Sequence, residues 1–438
     1  MTTSRRLGRW REFGWGGAIV VLLAGLAGPL SAQLPSLGLP SAEIPQERIL
    51  SPREEIDRAI ADSRFHLGPL RLSPELSVRE ATYDNNVYGT AENPTGDFRT
   101  VVSAGVGLIL PVTPNIFIRA GISPAYTWYA DLKERRFFGG TTGASLLVFA
   151  NRLTLEGSAG ASREDVLFSS EAQGRVIRNL GSAKLGAEIR LLSRFFIYGE
   201  GQIQRFRFTG PGAQVALFDP TQTDRTDRSV RAELRYRWGK DLILAAGYEE
   251  TRSEFVSAPQ QYDNRTRAGV GTIYYDRQRF FLRLSGAYRE LKPTNGSTVT
   301  RFSGVTGSSF VSYTLARPFD LQAFASRGPS YGLLSPYYIS TRYGGGVALR
   351  VGWRLKLQGF ASAGTDDYST PFLVPGGQLV DRKDSTTNYG GGLDFLFSSR
   401  FQVRFVGSED RYNSNVSIYD RSFFRWFVSL NLGGNLLR

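Results

Sequence analysis

From Leu70 onward, apolar side chains recur at every second residue. Val347, Leu349, Val351, Leu355, Leu357, Ala361 and Ala363 hold odd positions, while Arg350, Arg354, Lys356, Gln358 and Ser362 hold even ones. A period of two is that of a strand, whose successive side chains point to opposite faces. The same alternation sets Leu70, Leu72, Leu76 and Val78 against Arg71, Ser73, Glu75 and Arg79, and Ile116, Ile118, Ala120 and Ile122 against Arg119 and Ser123. Val102 to Leu110 repeats it, and Val230, Ala232, Leu234, Tyr236 and Trp238 oppose Arg231, Glu233, Arg235 and Arg237. Phe280, Leu282 and Leu284 oppose Arg283; Phe401, Val403 and Phe405 oppose Arg404; Phe424, Trp426 and Val428 oppose Arg425. Charge therefore sits behind the apolar face, strand after strand.

The connections alternate as well. Short links fall at residues 111 to 115 and near 149, 191, 237, 275, 315, 351 and 397, with longer polar links between them, such as those from Tyr83, Thr209 and Gly364. Residues paired across a hairpin share a face, so Val351 pairs with an odd residue such as Leu355, and the loop is Gly352-Trp353-Arg354 rather than a two-residue turn. A basic residue recurs at these turns: Arg152, Arg194, Lys240, Arg277, Arg317, Arg354 and Arg400. Such side chains meet water or headgroups at a membrane rim. Eight short turns and nine longer links make about eighteen strands, with sixteen as the rival count, and both ends of the strand array fall on the short-turn side.

A soluble sandwich turns its apolar face inward; a membrane barrel turns it outward to lipid, and periodicity alone does not separate them. The first residues bear on the choice. Arg5, Arg6, Arg9 and Arg11 precede the apolar run Ala18 to Ala27, followed by Pro29, Ser31 and Ala32, the layout of an export signal with cleavage after Ala32. Aromatic residues near strand ends (Tyr126, Trp128, Phe206, Phe208, Tyr236, Trp238, Tyr288 and Trp426) suit an interfacial girdle. The expected fold is a closed antiparallel transmembrane β-barrel over residues 69–438, with short periplasmic turns and longer extracellular loops, in the bacterial outer membrane.

Residues 33–68 form a periplasmic leader in this reading. It carries Pro35, Pro40 and Pro45, then the capping-box pattern Ser51-Pro52-Arg53-Glu54, which predicts a short helix with Ile56, Ala59 and Ile60 on one face. Two roles stand open for it: a tether, or a small plug in the pore mouth. The glycine-rich stretches at Tyr343 and Tyr389 lack the Lys-Ser/Thr and helix of a phosphate loop and are expected to be strand glycines at a bend or crowded wall.

The segment from Phe65 to Gly89, FHLGPLRLSPELSVREATYDNNVYG, resembles the opening of outer-membrane β-barrel porins encoded with exopolysaccharide or exosortase systems, in which a first strand runs into a motif like Tyr83 to Tyr88. Beyond it the likeness is one of strand rhythm, basic turns and glycine-rich strands. The chain ends NLGGNLLR without the terminal aromatic of such barrels, leaving the aromatic-rich Phe423 to Leu432 to meet the assembly machinery. The resemblance implies an outer-membrane channel, with polysaccharide or periplasmic export components as partners.

The full chain carries 53 Lys and Arg, 40 Asp and Glu, one His and no Cys, a formal charge of +13. Without cysteine there is no thiolate chemistry and no disulfide. The one histidine, His66, precedes the first strand at the periplasmic rim, away from where catalytic pairs of barrel hydrolases sit, so no enzyme and no cofactor are expected. Asp84, Asp366 and Asp367 offer oxygen ligands of the calcium kind, with solvated loop carboxylates as the plainer reading. The charge lies on alternating strand positions without a nucleic-acid-binding motif, so no nucleic acid partner is expected.

The expected lumen wall holds Arg71, Arg79, Arg119, Lys184, Arg190, Arg231, Glu233, Arg235, Arg237, Arg283, Arg350, Lys356, Arg404 and Arg425, with Glu75, Glu156, Glu188 and Asp394 as further acids. An excess of cations behind low-dielectric walls concentrates anions. Cross-strand pairing that stiffens the wall is the alternative use of these charges. The function expected is a porin-like channel for hydrophilic, anionic solutes or polysaccharide; the alternative is a sealed scaffold or adhesin barrel in outer-membrane lipid.

Overall fold

The computed structural model describes residues 52–63, 65–90, 93–167, 175–210, 219–316, 318–332, 335–373, 377–398 and 401–433. The export signal, Ser51 of the capping box, Arg317 and Arg400 lie outside the described residues. The expected helix is present as α1 (Pro52–Asp62). A short strand β1 (Phe65–Leu67) then folds back on β2 (Leu70–Asp84). The chain continues through β3 (Asp97–Thr113), β4 (Ile116–Tyr129), β5 (Phe137–Phe149), β6 (Leu153–Leu167), β7 (Arg175–Arg190), β8 (Phe195–Thr209) and β9 (Arg225–Trp238). Then come β10 (Leu242–Phe255), β11 (Asn264–Arg277), β12 (Phe280–Pro293), β13 (Phe302–Ala316), β14 (Phe319–Ser330), β15 (Tyr338–Val351) and β16 (Leu355–Tyr368). A two-stranded flap, β17 (Phe372–Leu373) and β18 (Leu379–Val380), precedes β19 (Lys383–Ser398), β20 (Phe401–Ser414) and β21 (Arg421–Gly433).

Every strand from β2 to β16 and from β19 to β21 pairs antiparallel with its neighbours in sequence, and β21 returns to pair with β2. The result is a closed barrel of 18 strands. Closure removes the sandwich reading, because one sheet meets its own first strand.

Turn chemistry follows the sequence reading. Val351 pairs with Leu355, and Gly352 opens the three-residue loop at φ 64°, a left-handed conformation that costs glycine little. Arg152, Arg194, Lys240, Arg277 and Arg354 are exposed at these turns. One link is shorter than expected: β16 runs to Tyr368 and β19 starts at Lys383, so Asp366 and Asp384 belong to the wall rather than to the loop.

Cross-strand register separates the two faces. One carries exposed apolar side chains, among them Ile122, Leu185, Val230, Leu234, Trp238, Leu284, Val305 and Val347. The other is crowded and polar, with Ser77, Ser103, Glu233, Asp366, Asp394 and Asp410 all buried. In a closed barrel side chains converge on the concave face and splay on the convex one, so the crowded face is the interior and the apolar face meets lipid. Phe206 and Phe208 correct the expected girdle: they share the parity of Gln202 and Gln204, point inward, and pack with Val176 and Leu180 in a buried apolar cluster. Trp128, Trp238 and Tyr288 are exposed on the outer face as expected.

The Tyr83 to Tyr88 motif ties the seam of the barrel. Asp84 sits opposite Arg425 and its carboxylate accepts from the Asn86 amide at 3.0 Å; Asn85 accepts from the Phe424 amide at 2.9 Å; Asn86 exchanges bonds with the Thr90 backbone. Its asparagines and aspartate thus bind the first extracellular loop to the last strand.

Candidate functional site

All the cations expected to line the lumen fall on the inner face, but the register gives most of them partners. Lys184 meets Glu156 at 3.1 Å, Arg235 bridges Glu188 at 2.9 Å and Glu233 at 2.8 Å, and Arg404 meets Asp394 at 2.8 Å. Arg231 donates to Glu233 at 2.7 Å, Arg350 to Asp320 at 2.7 Å, and Arg425 pairs with Asp410. Lys356 stands opposite Asp394. Arg190 donates to the Asn151 carbonyl, Arg237 lies 4.8 Å from the Phe196 ring centre and Arg283 5.5 Å from that of Tyr274.

Many of the cations expected on the inner face are thus paired. Asp320, Asp366, Asp410 and Glu249, absent from the acids expected there, sit on the same face and pair with Arg350, Arg342, Arg425 and Arg289. Partners such as Arg342 and Asp366 lie on different strands, and only the register brings them together.

Three arginines stand apart on the wall formed by β2 to β4. Arg79 occupies a bulge, where β2 slips register against both β3 and β21. A bulge re-aims its side chain. The guanidinium reaches across the wall to donate to Ser103 Oγ at 3.0 Å and Ser123 Oγ at 2.8 Å, with no carboxylate partner among the described residues. Arg119 has no hydrogen-bond or ion-pair partner among the described residues, and Arg71 donates weakly to the Gly68 carbonyl. Arg71 and Arg119 flank Ile109 in one row. Their neighbours at mid-height are small: Gly105, Gly107, Gly121, Gly143, Ser123 and Ser145 share the inner face. Glu75 is the acid on this stretch that forms no ion pair among the described residues.

The wall from β14 to β19 is thick. Phe324 and Phe360 lie against the glycine-rich stretches: a Cβ on Gly344 would come 2.8 Å from Phe324 Cε1, and one on Gly390 2.6 Å from Phe360 Cζ. These glycines make room for rings in a crowded wall, as the sequence reading held.

At the periplasmic mouth α1 docks on the inner wall. Ile56, 2% exposed, packs on Phe117 and Leu147, with Ile60 and Phe149 against them. The Arg53 guanidinium lies 4.7 Å from the Phe117 ring centre and donates to the Pro114 carbonyl. Phe117 and Leu147 pair across β4 and β5 with the parity of Arg119, so the helix sits inside the rim. Burying Ile56 stabilises this docking by about 1.5–3 kcal/mol. His66 is exposed, opposite Arg71 in register and 3.3 Å from Ser63 Oγ.

At the other end buried arginines clamp the loops. Arg225 lies over Phe206 and Tyr331, Arg382 over Tyr368 and Tyr419, and Arg135 over Tyr88 and Tyr129. Tyr331 comes from the link after β14 and bonds Ser253 and Asn264; burial raises its phenol above the ordinary value and keeps it neutral. The adjacent carboxylates Asp366 and Asp367 face opposite sides, Asp366 to Arg342 at 2.7 Å and Asp367 to Lys383 at 3.1 Å, so they do not converge on one ion.

An outward apolar surface around a polar interior, closed by 18 antiparallel strands, makes this a transmembrane β-barrel of the bacterial outer membrane. No protein-family model matches the chain, and no curated protein matches it. Similar solved structures include a BenF-like porin from Pseudomonas fluorescens Pf-5, at 10% identity over 83% of this chain and 98% of that one with a TM-score of 0.49. The ferric enterobactin receptor PfeA from Pseudomonas aeruginosa is similar at 11% over 83% and 80%, TM-score 0.43, and the siderophore receptor PirA from the same organism at 13% over 84% and 81%, TM-score 0.42. At these identities the likeness is one of architecture.

Proposed function

We propose that the protein is a channel for hydrophilic solutes bearing acidic groups, whose path follows the thin wall of β2 to β5. The observation that carries this reading is the pair Arg79 and Arg119, cations without a carboxylate partner among the described residues, on a stretch of serines and glycines. Further round the wall Lys184, Arg235, Arg350, Arg342, Arg404 and Arg425 each meet a carboxylate, which weakens the field they offer a passing ion. Here the guanidiniums remain free to exchange water for an acidic group, the bidentate geometry at which arginine excels. In this reading α1 narrows the periplasmic mouth. An acidic polysaccharide, as the resemblance of the first hairpin implies, is one solute of the required chemistry.

Planar-bilayer recording in a salt gradient tests the proposal. Open channels with a reversal potential on the anion side are expected, shifting toward neutrality in Arg79→Gln/Arg119→Gln. Cation preference, or no change in that variant, overturns it. The loops clamped by Arg225 and Arg382 favour a second reading, a sealed scaffold barrel, for which the same recording shows no conductance.

A further inference from the structure

On the outer surface, just past the apolar band at the long-loop end, four cations stand side by side on four consecutive strands. Arg228 on β9 pairs in register with Arg252 on β10, Arg252 with Arg265 on β11, and Arg265 with Lys292 on β12. Neighbouring strands lie about 4.8 Å apart, and like charges directly opposite each other destabilise a sheet. Arg267, one outward position nearer the membrane, adds a fifth.

Carboxylates answer this charge only in part. Glu254 is shared by Arg228 at 2.5 Å and Arg252 at 3.1 Å, Glu250 by Arg265 at 2.5 Å and Arg267 at 3.2 Å, and Glu290 meets Lys292 at 2.7 Å. Each shared acid leaves one guanidinium's worth of charge unmatched. The arginine side chains are 41–54% exposed, so their forks remain open to a further ligand.

Position selects the ligand. The side chains have the parity of Val230, Leu234 and Trp238, so they point away from the lumen and from any solute in it. Two outward positions below them, past the row of Glu250, Arg267 and Glu290, Tyr248 and Tyr288, 45% and 58% exposed, mark the upper edge of the apolar band. A row of cations a few residues above an aromatic belt lies at headgroup depth in the outer leaflet. Planar guanidinium forks at strand spacing suit phosphate oxygens, which accept two bonds from one arginine.

We propose that Arg228, Arg252, Arg265 and Lys292 form a binding site for the phosphorylated headgroup of an outer-leaflet glycolipid. The site rests on the orientation of the barrel in the membrane and not on which solute the channel passes. Its test uses the full chain in detergent, with bisphosphorylated lipid A, the same lipid after phosphatase treatment, and inorganic phosphate as probes, read by thermal unfolding and by lipid retained in native mass spectrometry.

The bisphosphorylated lipid is expected to raise the unfolding temperature and to remain bound, and the other two probes are not. In Arg228→Gln/Arg252→Gln/Lys292→Gln its affinity is expected to fall at least about tenfold, the scale of a lost charge-assisted bond. The single variant Arg252→Gln is measured alongside in case the triple variant does not fold, and a fall of about threefold or more is expected there. Equal binding of the dephosphorylated lipid, equal effect of free phosphate, or unchanged affinity in the variants overturns the proposal. Conductance and ion preference are expected to stay unchanged, so failure here is distinguishable from failure of the channel reading.

Discussion

The two sides of the barrel interior solve the same problem differently. From β9 to β21 the wall is built of cross-strand ion pairs and phenylalanines seated on glycines; from β2 to β5 its mid-height is built of serines and glycines, where Arg79 and Arg119 have no carboxylate partner among the described residues. The thick wall pairs its buried acids with arginines, because a buried charge without a partner costs several kcal/mol. The thin wall leaves its charges near water, where solvation takes the partner's place. Rigidity and a net field thus fall on opposite sides.

The largest test of this contrast removes a carboxylate from the thick wall. Asp366, with its side chain fully buried against Arg342, is expected to cost about 3–5 kcal/mol when replaced by Ala, seen as a fall in the unfolding temperature of the detergent-solubilised barrel. A loss no greater than that of an exposed pair such as Arg411 with Glu409 would erase the difference between the walls. The second test compares glycines. Gly344→Val drives a methyl into Phe324 and Ser362 and is expected to cost about 1–3 kcal/mol, whereas Gly121→Ala on the thin wall, whose Cβ comes no nearer than 3.7 Å to the Val106 carbonyl, is expected to change stability by less than about 0.5 kcal/mol. Equal effects in the same melting assay would mean that the thin wall is as tightly packed as the thick one.

Third, Ile56→Ala removes the apolar anchor of α1 and is expected to weaken its docking by about 2 kcal/mol, so that single-channel conductance rises while ion preference keeps its sign. Unchanged conductance would separate the helix from the path. A smaller effect on stability than that of Ile56→Ala is expected from Arg79→Gln, within about 1 kcal/mol since its partners are neutral hydroxyls, together with a weaker anion preference in the reversal potential. A large loss of stability would recast Arg79 as a structural strut.

Much of the architecture is legible in local pattern. Strand count, turn positions, the odd-length loop at Gly352 and the face occupied by each lumen residue follow from a period of two, because parity is conserved along a strand and across a hairpin wherever no bulge interrupts the register. The helix and its buried Ile56 follow from capping and amphipathic spacing. Phe206 and Phe208 depart from the girdle because their parity with Gln202 and Gln204, and not their aromatic character, sets the face they occupy. The acids Asp320, Asp366 and Asp410 were missed because ends of strands read as loops when judged by polarity alone.

Alternation, chain length and turn residues by themselves determined a barrel with an apolar outside and a charged inside, since these are properties of single strands and of adjacent pairs. Which charges cancel, where Arg79 points, what α1 covers and how four cations come to stand in one outward row were decided by register, by a single bulge and by the closure of β2 on β21. Those features depend on residues from separate strands sharing one height in the barrel, and electrostatic energy is set by that separation in space.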